Sequence, residues 1–176
     1  KSEAGERGTR IHLAADALEN GVMLLETDYS IEEWYKINAF ADWYNEYKPV
    51  LITKEFPVFS RKGKYAGRLD RIYKINGEVI LLDLKSSSGI HENSPLQFAS
   101  YAKAVEETTD LKIEQTACLQ VGAKNKNGYR YVLYPDWHEH YKVFENVRKV
   151  WEYDQFTSRK NPKEPPVLVL PATLKL

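Results

Sequence analysis

The chain has 176 residues, a length that fits one domain and is long enough to bury a hydrophobic core. Hydrophobic residues make up 43% and charged residues 28%, a composition typical of ordered globular proteins that excludes the fibrous and disordered classes. Lys+Arg and Asp+Glu both number 25, so the formal net charge is zero. This balance counts mildly against a nucleic-acid binder, although only the local field over a binding face decides the matter.

The single cysteine, Cys118, cannot form an internal disulfide and cannot by itself hold a zinc ion or an iron–sulfur cluster. No stretch approaches the roughly 20 apolar residues that span a bilayer. Residues 1–25 also lack the basic start, apolar core and cleavage site of a signal peptide. We therefore expect a protein with no membrane partner in a reducing compartment, with a cytoplasmic location as the default.

The first part of the chain is predicted to be helical. Apolar residues recur at helical spacing from Ile11 to Leu25, which indicates an amphipathic helix with one buried stripe. A second helix is predicted to begin at Ser30, because Ser30 and Glu33 have the spacing of a capping box, and to end before Pro49.

Short runs of β-branched, aromatic and aliphatic residues follow. They predict strands over Leu51–Phe59, Tyr65–Ile75 and Val79–Lys85, and Asn76-Gly77 between the last two is a strong hairpin signal. The remaining predicted elements are a helix from Ser94-Pro95 to about Glu107, strands Ile113–Val121 and Tyr129–Tyr134, and a long helix from Pro135-Asp136 to about Gln155. This order predicts an α/β (α+β) fold, a central mixed sheet flanked by helices, in a single domain over residues 1–176.

The hairpin brings two acidic residues face to face. With Asn76-Gly77 as a two-residue loop, the register places Asp70 directly opposite Asp83. Like charges at such positions destabilise a sheet, so the pair needs a reason. A divalent cation is the obvious one, because carboxylate oxygens suit Mg²⁺ and Mn²⁺.

A lysine joins these carboxylates. Side chains two residues apart on a strand share a face, so Asp83 and Lys85 project together from an otherwise apolar strand. Two carboxylates and an ammonium suit phosphodiester hydrolysis: a metal lowers the pKa of a bound water, and Lys85 positions that water or offsets developing charge. The alternative is a surface ion pair of Asp83 with Lys85, with Asp70 merely flanking a turn.

Four motifs occur in chain order: Gly8-Thr9-Arg10-Ile11-His12, Gly67-Arg68-Leu69-Asp70, Asp83-Leu84-Lys85, and Gln97-Phe98-Ala99-Ser100-Tyr101. Together they resemble the G-T-x-x-H, G-x-x-D, D-x-K and Q-x-x-x-Y series of the PD-(D/E)XK nuclease superfamily. More narrowly they resemble its RecB-type exonuclease group, which includes phage and CRISPR-adaptation exonucleases. The resemblance spans residues 8 to 101 and implies a restriction-endonuclease-like core.

The resemblance implies a role for each motif residue. His12, Asp70 and Asp83 would bind the metal with the backbone carbonyl of Leu84, and Lys85 would be the catalytic lysine. The metal would be Mg²⁺ or Mn²⁺, and an imidazole among the ligands favours Mn²⁺. Iron–sulfur members of the group add four cysteines, so with one cysteine this chain is expected to hold no iron–sulfur cluster.

Gln97 and Tyr101 would help to order the active site or contact the DNA backbone. Both also have ordinary structural interpretations, as does His12. Ser94 and Gln97 have capping-box spacing, so capping alone would account for Gln97. Tyr101 shares a helical face with Gln97 but would equally suit the core. His12 lies beside an apolar stripe and could instead cap the first helix or be partly buried.

Two groups of basic residues are candidates for phosphate contacts: Arg61, Lys62, Lys64, Arg68, Arg71 and Lys74, and then Lys124, Lys126 and Arg130. Either group could follow a DNA backbone, or could be solvated surface. Glu55, on the strand before the hairpin, is a further candidate for the metal.

The sequence thus predicts a metal-dependent DNA exonuclease that acts in recombination, repair or phage DNA processing, and the resemblance implies 5′-phosphate and 3′-hydroxyl products. A structure-specific or restriction-like endonuclease is one alternative, and a non-catalytic DNA-binding module of the same fold is another. Ring-shaped oligomers occur among related phage exonucleases, so a homo-oligomer stays open, as does a recombination or repair partner protein. The sequence shows no interface signature.

Overall fold

The computed structural model describes residues 3–158. Its helices and strands are α1 (Glu3–Glu19), α2 (Ile31–Tyr47), β1 (Val50–Ser60), β2 (Tyr65–Ile75), β3 (Glu78–Lys85), α3 (Ser94–Thr108), β4 (Gln115–Val121), β5 (Tyr129–Tyr134) and α4 (Trp137–Ser158), with a short 3₁₀ turn at Glu26–Asp28. The chain divides into two compact units at Phe144/Glu145, and the first of them contains the whole sheet. The single nuclease domain over residues 1–176 stays a prediction. The Pro-rich C-terminal tail lies outside the described residues.

The five strands form one mixed sheet in the order β1-β2-β3-β4-β5. All neighbours are antiparallel except β3 and β4, which are parallel. A parallel pair needs a crossover connection, and α3 supplies it. This architecture confirms the predicted fold class of a mixed sheet with flanking helices. Within residues 3–158, no helix is both long and apolar enough to cross a bilayer.

Local signals define the second helix and the central hairpin as predicted. Ser30 Oγ accepts a hydrogen bond from the Glu33 backbone N–H at 3.3 Å, and the Ser30 N–H donates to the Glu33 carboxylate at 2.9 Å, which completes the capping box. In the hairpin turn, Asn76 and Gly77 have φ of 52° and 94°. Two consecutive positive φ angles match the twist of the flanking strands.

The first helix is shorter at its C-terminal end than the apolar pattern predicts. The Gly21 N–H donates to the Leu18 carbonyl and the Val22 N–H to the Ala17 carbonyl, with Gly21 at φ 72°, which is a Schellman ending. Val22 and Leu25 lie beyond it and are exposed. The predicted extension to Leu25 is therefore wrong, because a left-handed glycine ends the helix first.

Helices cover both faces of the sheet. On one face, α1 and α2 pack in a cluster that includes Trp43 and Tyr73. On the other face, α3 packs in a cluster that includes Phe98 and Trp137. Both tryptophans are fully buried, and the Trp137 indole N–H donates to the Ile113 carbonyl at 2.9 Å. The candidate site therefore lies in a sheet that is packed on both sides.

In β1 and β2, the regular alternation of side chains between the two faces of the sheet is interrupted at one position. Lys54 and Arg71 form ion pairs with α1, whereas Phe56 and Leu69 pack in the cluster under α3. Regular alternation would put residues two apart on the same face. In β1 the reversal coincides with Glu55, whose φ is 50°. This irregularity determines where the acidic side chains of Glu55 and Asp70 point.

Candidate active site

A histidine and two carboxylates converge where α1 crosses the sheet. His12, Glu55 and Asp70 each offer a ligand atom, and these atoms all lie within 4.8 Å of one another. His12 Nδ1 is 3.9 Å from Asp70 Oδ2. All three residues are partly buried. One imidazole nitrogen and two carboxylate oxygens form a donor set that suits Mn²⁺ or Mg²⁺.

Buried ion pairs fix α1 against β2 beside this group. Arg71 Nη2 lies 2.8 Å from Asp16 Oδ1, and Arg71 Nε lies 2.8 Å from Glu19 Oε1. The Arg71 side chain is 0% exposed. Asp16 lies one helical turn after His12, and Arg71 directly follows Asp70. The same contacts that attach the helix therefore place His12 next to Asp70.

Glu55 reaches the group through an uncommon backbone conformation. It is a non-glycine residue with φ 50°, which costs on the order of 1–2 kcal/mol relative to a regular strand conformation. Its carboxylate is 2.7 Å from Arg68 Nε. Glu55 lies opposite Asp70 in the ladder, between the pairs Lys54↔Arg71 and Phe56↔Leu69. Glu55, which the sequence offers only as a further candidate ligand, thus lies next to His12 and Asp70.

Asp83 and Lys85 form a tight pair next to this group. Lys85 Nζ is 2.7 Å from Asp83 Oδ2, and Asp83 is only 6% exposed. Burial, followed by the charge of Asp70, raises the pKa of Asp83 to about 6. Burial opposes the Lys85 ammonium, but the nearby Asp83 carboxylate outweighs it and raises the pKa of Lys85. The Lys85 side chain is therefore charged at neutral pH, and its ion pair with Asp83 holds it in place.

The register of the β2–β3 hairpin is as predicted up to the position of Asp70 and Asp83. Pairing runs from Ile75↔Glu78 to Arg71↔Leu82, and at the next level the Leu84 N–H donates to Asp70 Oδ2 at 2.9 Å. Asp70 therefore lies with His12 and Glu55, and Asp83 is close enough for its pKa to respond to Asp70 without belonging to the 4.8 Å group. Of the predicted metal ligands, His12 and Asp70 are brought together, whereas Asp83 is engaged by Lys85.

Gln97 and Tyr101 contact each other on α3. Gln97 Nε2 donates to the Tyr101 hydroxyl at 3.1 Å. The N-cap of α3 is Asn93, which makes no side-chain capping bond, so the interpretation of Gln97 as a capping residue is wrong. The Lys85 ammonium lies 5.9 Å from the Phe98 ring centroid, which places the start of α3 beside the Asp83–Lys85 pair.

The Tyr101 ring also explains the glycine of the second motif. A Cβ added at Gly67 would lie 2.4 Å from Tyr101 Cε1, closer than real Cβ contacts allow. Only glycine leaves room for the ring at this point of β2. Two motifs that are 34 residues apart in the sequence, from Gly67 to Tyr101, therefore meet next to the candidate site.

The structure divides the first basic cluster. Arg71 is buried in its ion pairs, so it cannot contact a DNA backbone, and the exposed Arg68 is paired with Glu55. Arg61, Lys62 and Lys64 are exposed in the β1–β2 turn, and no ion pair of theirs occurs within the described part of the chain. The sequence motifs do not indicate the Arg71 network, although Asp16 and Glu19 follow His12 at helical spacing.

Solved structures with a similar fold exist, although no family model and no curated protein matches the chain. A solved structure from Eubacterium rectale, described as a "Putative exonuclease", matches with a TM-score of 0.54 and 13% sequence identity. The two proteins share a fold. The match covers 85% of this chain and 65% of the other, so this chain spans slightly less than two thirds of that protein.

Proposed function

We propose that this protein is a metal-dependent deoxyribonuclease of the PD-(D/E)XK superfamily, close to the RecB-type group, that degrades DNA as an exonuclease. The observation that carries the proposal is the convergence of His12, Glu55 and Asp70 within 4.8 Å, next to the paired Asp83 and Lys85. The fold shared with the "Putative exonuclease" supports it. A setting in recombination, repair or phage DNA processing follows from the motif resemblance alone.

The donor atoms suggest how the residues divide the work. His12, Glu55 and Asp70 would hold Mg²⁺ or Mn²⁺, with the Asp83 carboxylate and the Leu84 carbonyl on the neighbouring strand as further ligands. A divalent ion bound there supplies charge neutralisation at the phosphate and a water of lowered pKa. The carboxylates at this place would supply the oxygen ligands and the negative charge that such an ion requires.

Lys85 would act on the reacting atoms directly. Asp83 holds its ammonium at a fixed place, so it can donate a hydrogen bond to the attacking water or to a phosphate oxygen as negative charge develops. Gln97 and Tyr101 would position the strand, because their hydrogen-bonded pair lies on the helix that starts beside Lys85. Both contributions depend on fixed donors that need no rearrangement during the reaction.

Degradation of end-labelled linear DNA tests this function. Wild-type protein with Mn²⁺ or Mg²⁺ should release labelled products, and chelation should stop the release. Asp70→Asn and Lys85→Ala should each lower the rate by about a hundredfold or more, the scale of losing a group that stabilises transition-state charge. Equal rates in all three proteins would refute the catalytic assignment. Closed circular DNA is the companion substrate, because its cleavage would identify an endonuclease instead.

A further inference from the structure

A cleft lies next to the candidate active site. It has a volume of about 540 Å³ and is bordered by α1, α2 and the segments that follow β3 and β4. Because β3 and β4 are parallel, with Lys85 beside Gln120, their carboxyl ends open on the same side of the sheet. In open sheets with parallel strands, ligands bind outside these ends. The cleft therefore occupies the part of the fold where a ligand is expected.

The cleft has a surplus of positive charge. Arg7 and Lys36 share one carboxylate, that of Glu32, at 3.4 and 2.7 Å. Lys124 also borders the cleft, is exposed, and makes no ion pair within residues 3–158. The other acidic lining residue, Glu33, is already engaged by Arg10 at 2.7 Å. In a chain with zero net charge, this surplus is local and favours an anion.

Hydroxyl groups complete the lining of the cleft, on the segment that directly follows β3. Ser86 and Ser88 line it, and Ser86 directly follows Lys85. The Gln120 amide donates to the Ser87 carbonyl at 3.0 Å, which attaches this serine segment to β4. On the opposite wall, Gly8 lies so close that a Cβ there would be 3.4 Å from Ser86 Oγ.

We propose that this cleft binds a phosphate group of a nucleic-acid strand adjacent to the bond that is cut. The proposal rests on the proposed nuclease function for its choice of ligand. Lysine, arginine and serine side chains are the groups that most often contact phosphate oxygens of nucleic acids and set the register of the strand. The phosphate is either a terminal monoester or an internal diester, and both present the same anionic oxygens to Lys124 and the serine hydroxyls.

Binding of a single-stranded oligonucleotide in the presence of EDTA tests the cleft without cleavage. Lys124→Gln should lower the slope of log affinity against log salt by about 0.7, the loss of one phosphate contact. Ser88→Asp places a negative charge in the cleft and should weaken binding about tenfold or more. Matched controls are Lys112→Gln and Asn76→Asp, exposed changes of the same charge in the segments that precede β4 and β3, away from the cleft. If the cleft variants bind like these controls, the proposal is overturned.

The oligonucleotide ends identify the phosphate. A Ser88→Asp loss that occurs only with a 5′- or 3′-phosphorylated end supports a site for a terminal monoester, and an equal loss with hydroxyl ends supports an internal diester. The cleavage assay separates this proposal from the proposed function. Loss of binding in the cleft variants without DNA cleavage by the wild type would keep the cleft and reject the nuclease. Cleavage by the wild type with unchanged binding would reject the cleft alone.

Discussion

Two charged clusters meet at consecutive residues of β2, and they differ in how their charges are balanced. Arg71 belongs to a buried network of ion pairs. In it, two cations, Arg71 and Lys54, contact two carboxylates, those of Asp16 and Glu19. Within residues 3–158, the direct contacts of Asp70, the neighbour of Arg71, are the His12 imidazole at 3.9 Å and the Leu84 backbone N–H. A cluster whose buried charges are balanced in this way is typical of a structural role.

The cluster around Asp70, which includes Glu55 and Asp83, carries features that cost stability. Near Asp70, the Glu55 carboxylate adopts its place through a strained backbone, and burial raises the pKa of Asp83 to about 6. Strain and a perturbed pKa both cost free energy of folding, and such costs concentrate at functional sites. The contrast therefore distinguishes the residues that hold the fold from those that we propose for metal and substrate.

The largest expected effect comes from the balanced cluster. Arg71→Met should lower the free energy of unfolding by about 3–5 kcal/mol, because it leaves the Asp16 and Glu19 carboxylates buried or half-buried without their partner. Urea denaturation measures this loss. The matched control is Arg68→Met, which breaks a pair whose arginine is 65% exposed and should cost less than about 1 kcal/mol. Equal losses in the two variants would remove the distinction between the clusters.

A pH titration of stability tests the cluster around Asp70. The folded pKa of Asp83 is raised to about 6 from an ordinary value of 3.8, so the folded state holds this proton more tightly than the unfolded state. The favourable contribution is complete below pH 3.8 and is lost as the pH rises through 6, about 3 kcal/mol in total. Urea denaturation in EDTA should show this loss for the wild type relative to Asp83→Asn. A difference that does not change with pH would contradict the assignment.

The contact between two motifs offers a smaller effect. Gly67→Ala should destabilise the protein by about 1–3 kcal/mol, because the new Cβ would lie 2.4 Å from the Tyr101 ring. Gly89→Ala is the control, since a Cβ there meets nothing within 4 Å. Thermal denaturation measures both. Tyr101→Ala in the Gly67→Ala background should recover part of the loss, and no recovery would show that the ring is not the cause.

The smallest stability effect concerns Glu55. Asn tolerates a positive φ better than Glu does, so Glu55→Asn should leave stability equal or raise it by up to about 1 kcal/mol. Mn²⁺ affinity should fall about tenfold or more, because a shorter, neutral amide replaces the charged carboxylate. The control is Lys48→Asn at the end of α2, where φ is 46°. It relieves the same kind of backbone strain and should leave Mn²⁺ affinity unchanged. Calorimetric titration with Mn²⁺ decides between a ligand and a merely strained residue.

Local sequence signals account for much of the fold. The capping box at Ser30 and the positive-φ turn at Asn76-Gly77 depend on adjacent residues, so both could be predicted. Gly21 also marks the end of α1 locally and is predicted near it, but the apolar stripe that continues to Leu25 extends the predicted helix too far. Periodicity locates an element better than it locates its ends.

The candidate site could be predicted only in part. The motifs indicate Asp70 and Lys85, and the register holds as far as Arg71↔Leu82. The place of Asp70 beside Glu55 depends on a reversal of sidedness in two neighbouring strands, which an alternating pattern cannot show. The Arg71 network depends on the packing of α1 on the sheet, so no spacing within one element reveals it.

The central claim is that His12, Glu55 and Asp70 bind a divalent metal ion beside Asp83 and Lys85. Anomalous diffraction from a crystal soaked in Mn²⁺ tests it most directly. The account predicts one strong anomalous peak between the His12 imidazole and the Glu55 and Asp70 carboxylates, weakened or absent in Asp70→Asn. A soaked crystal with no peak there, or with its strongest peak on another surface of the protein, would contradict it.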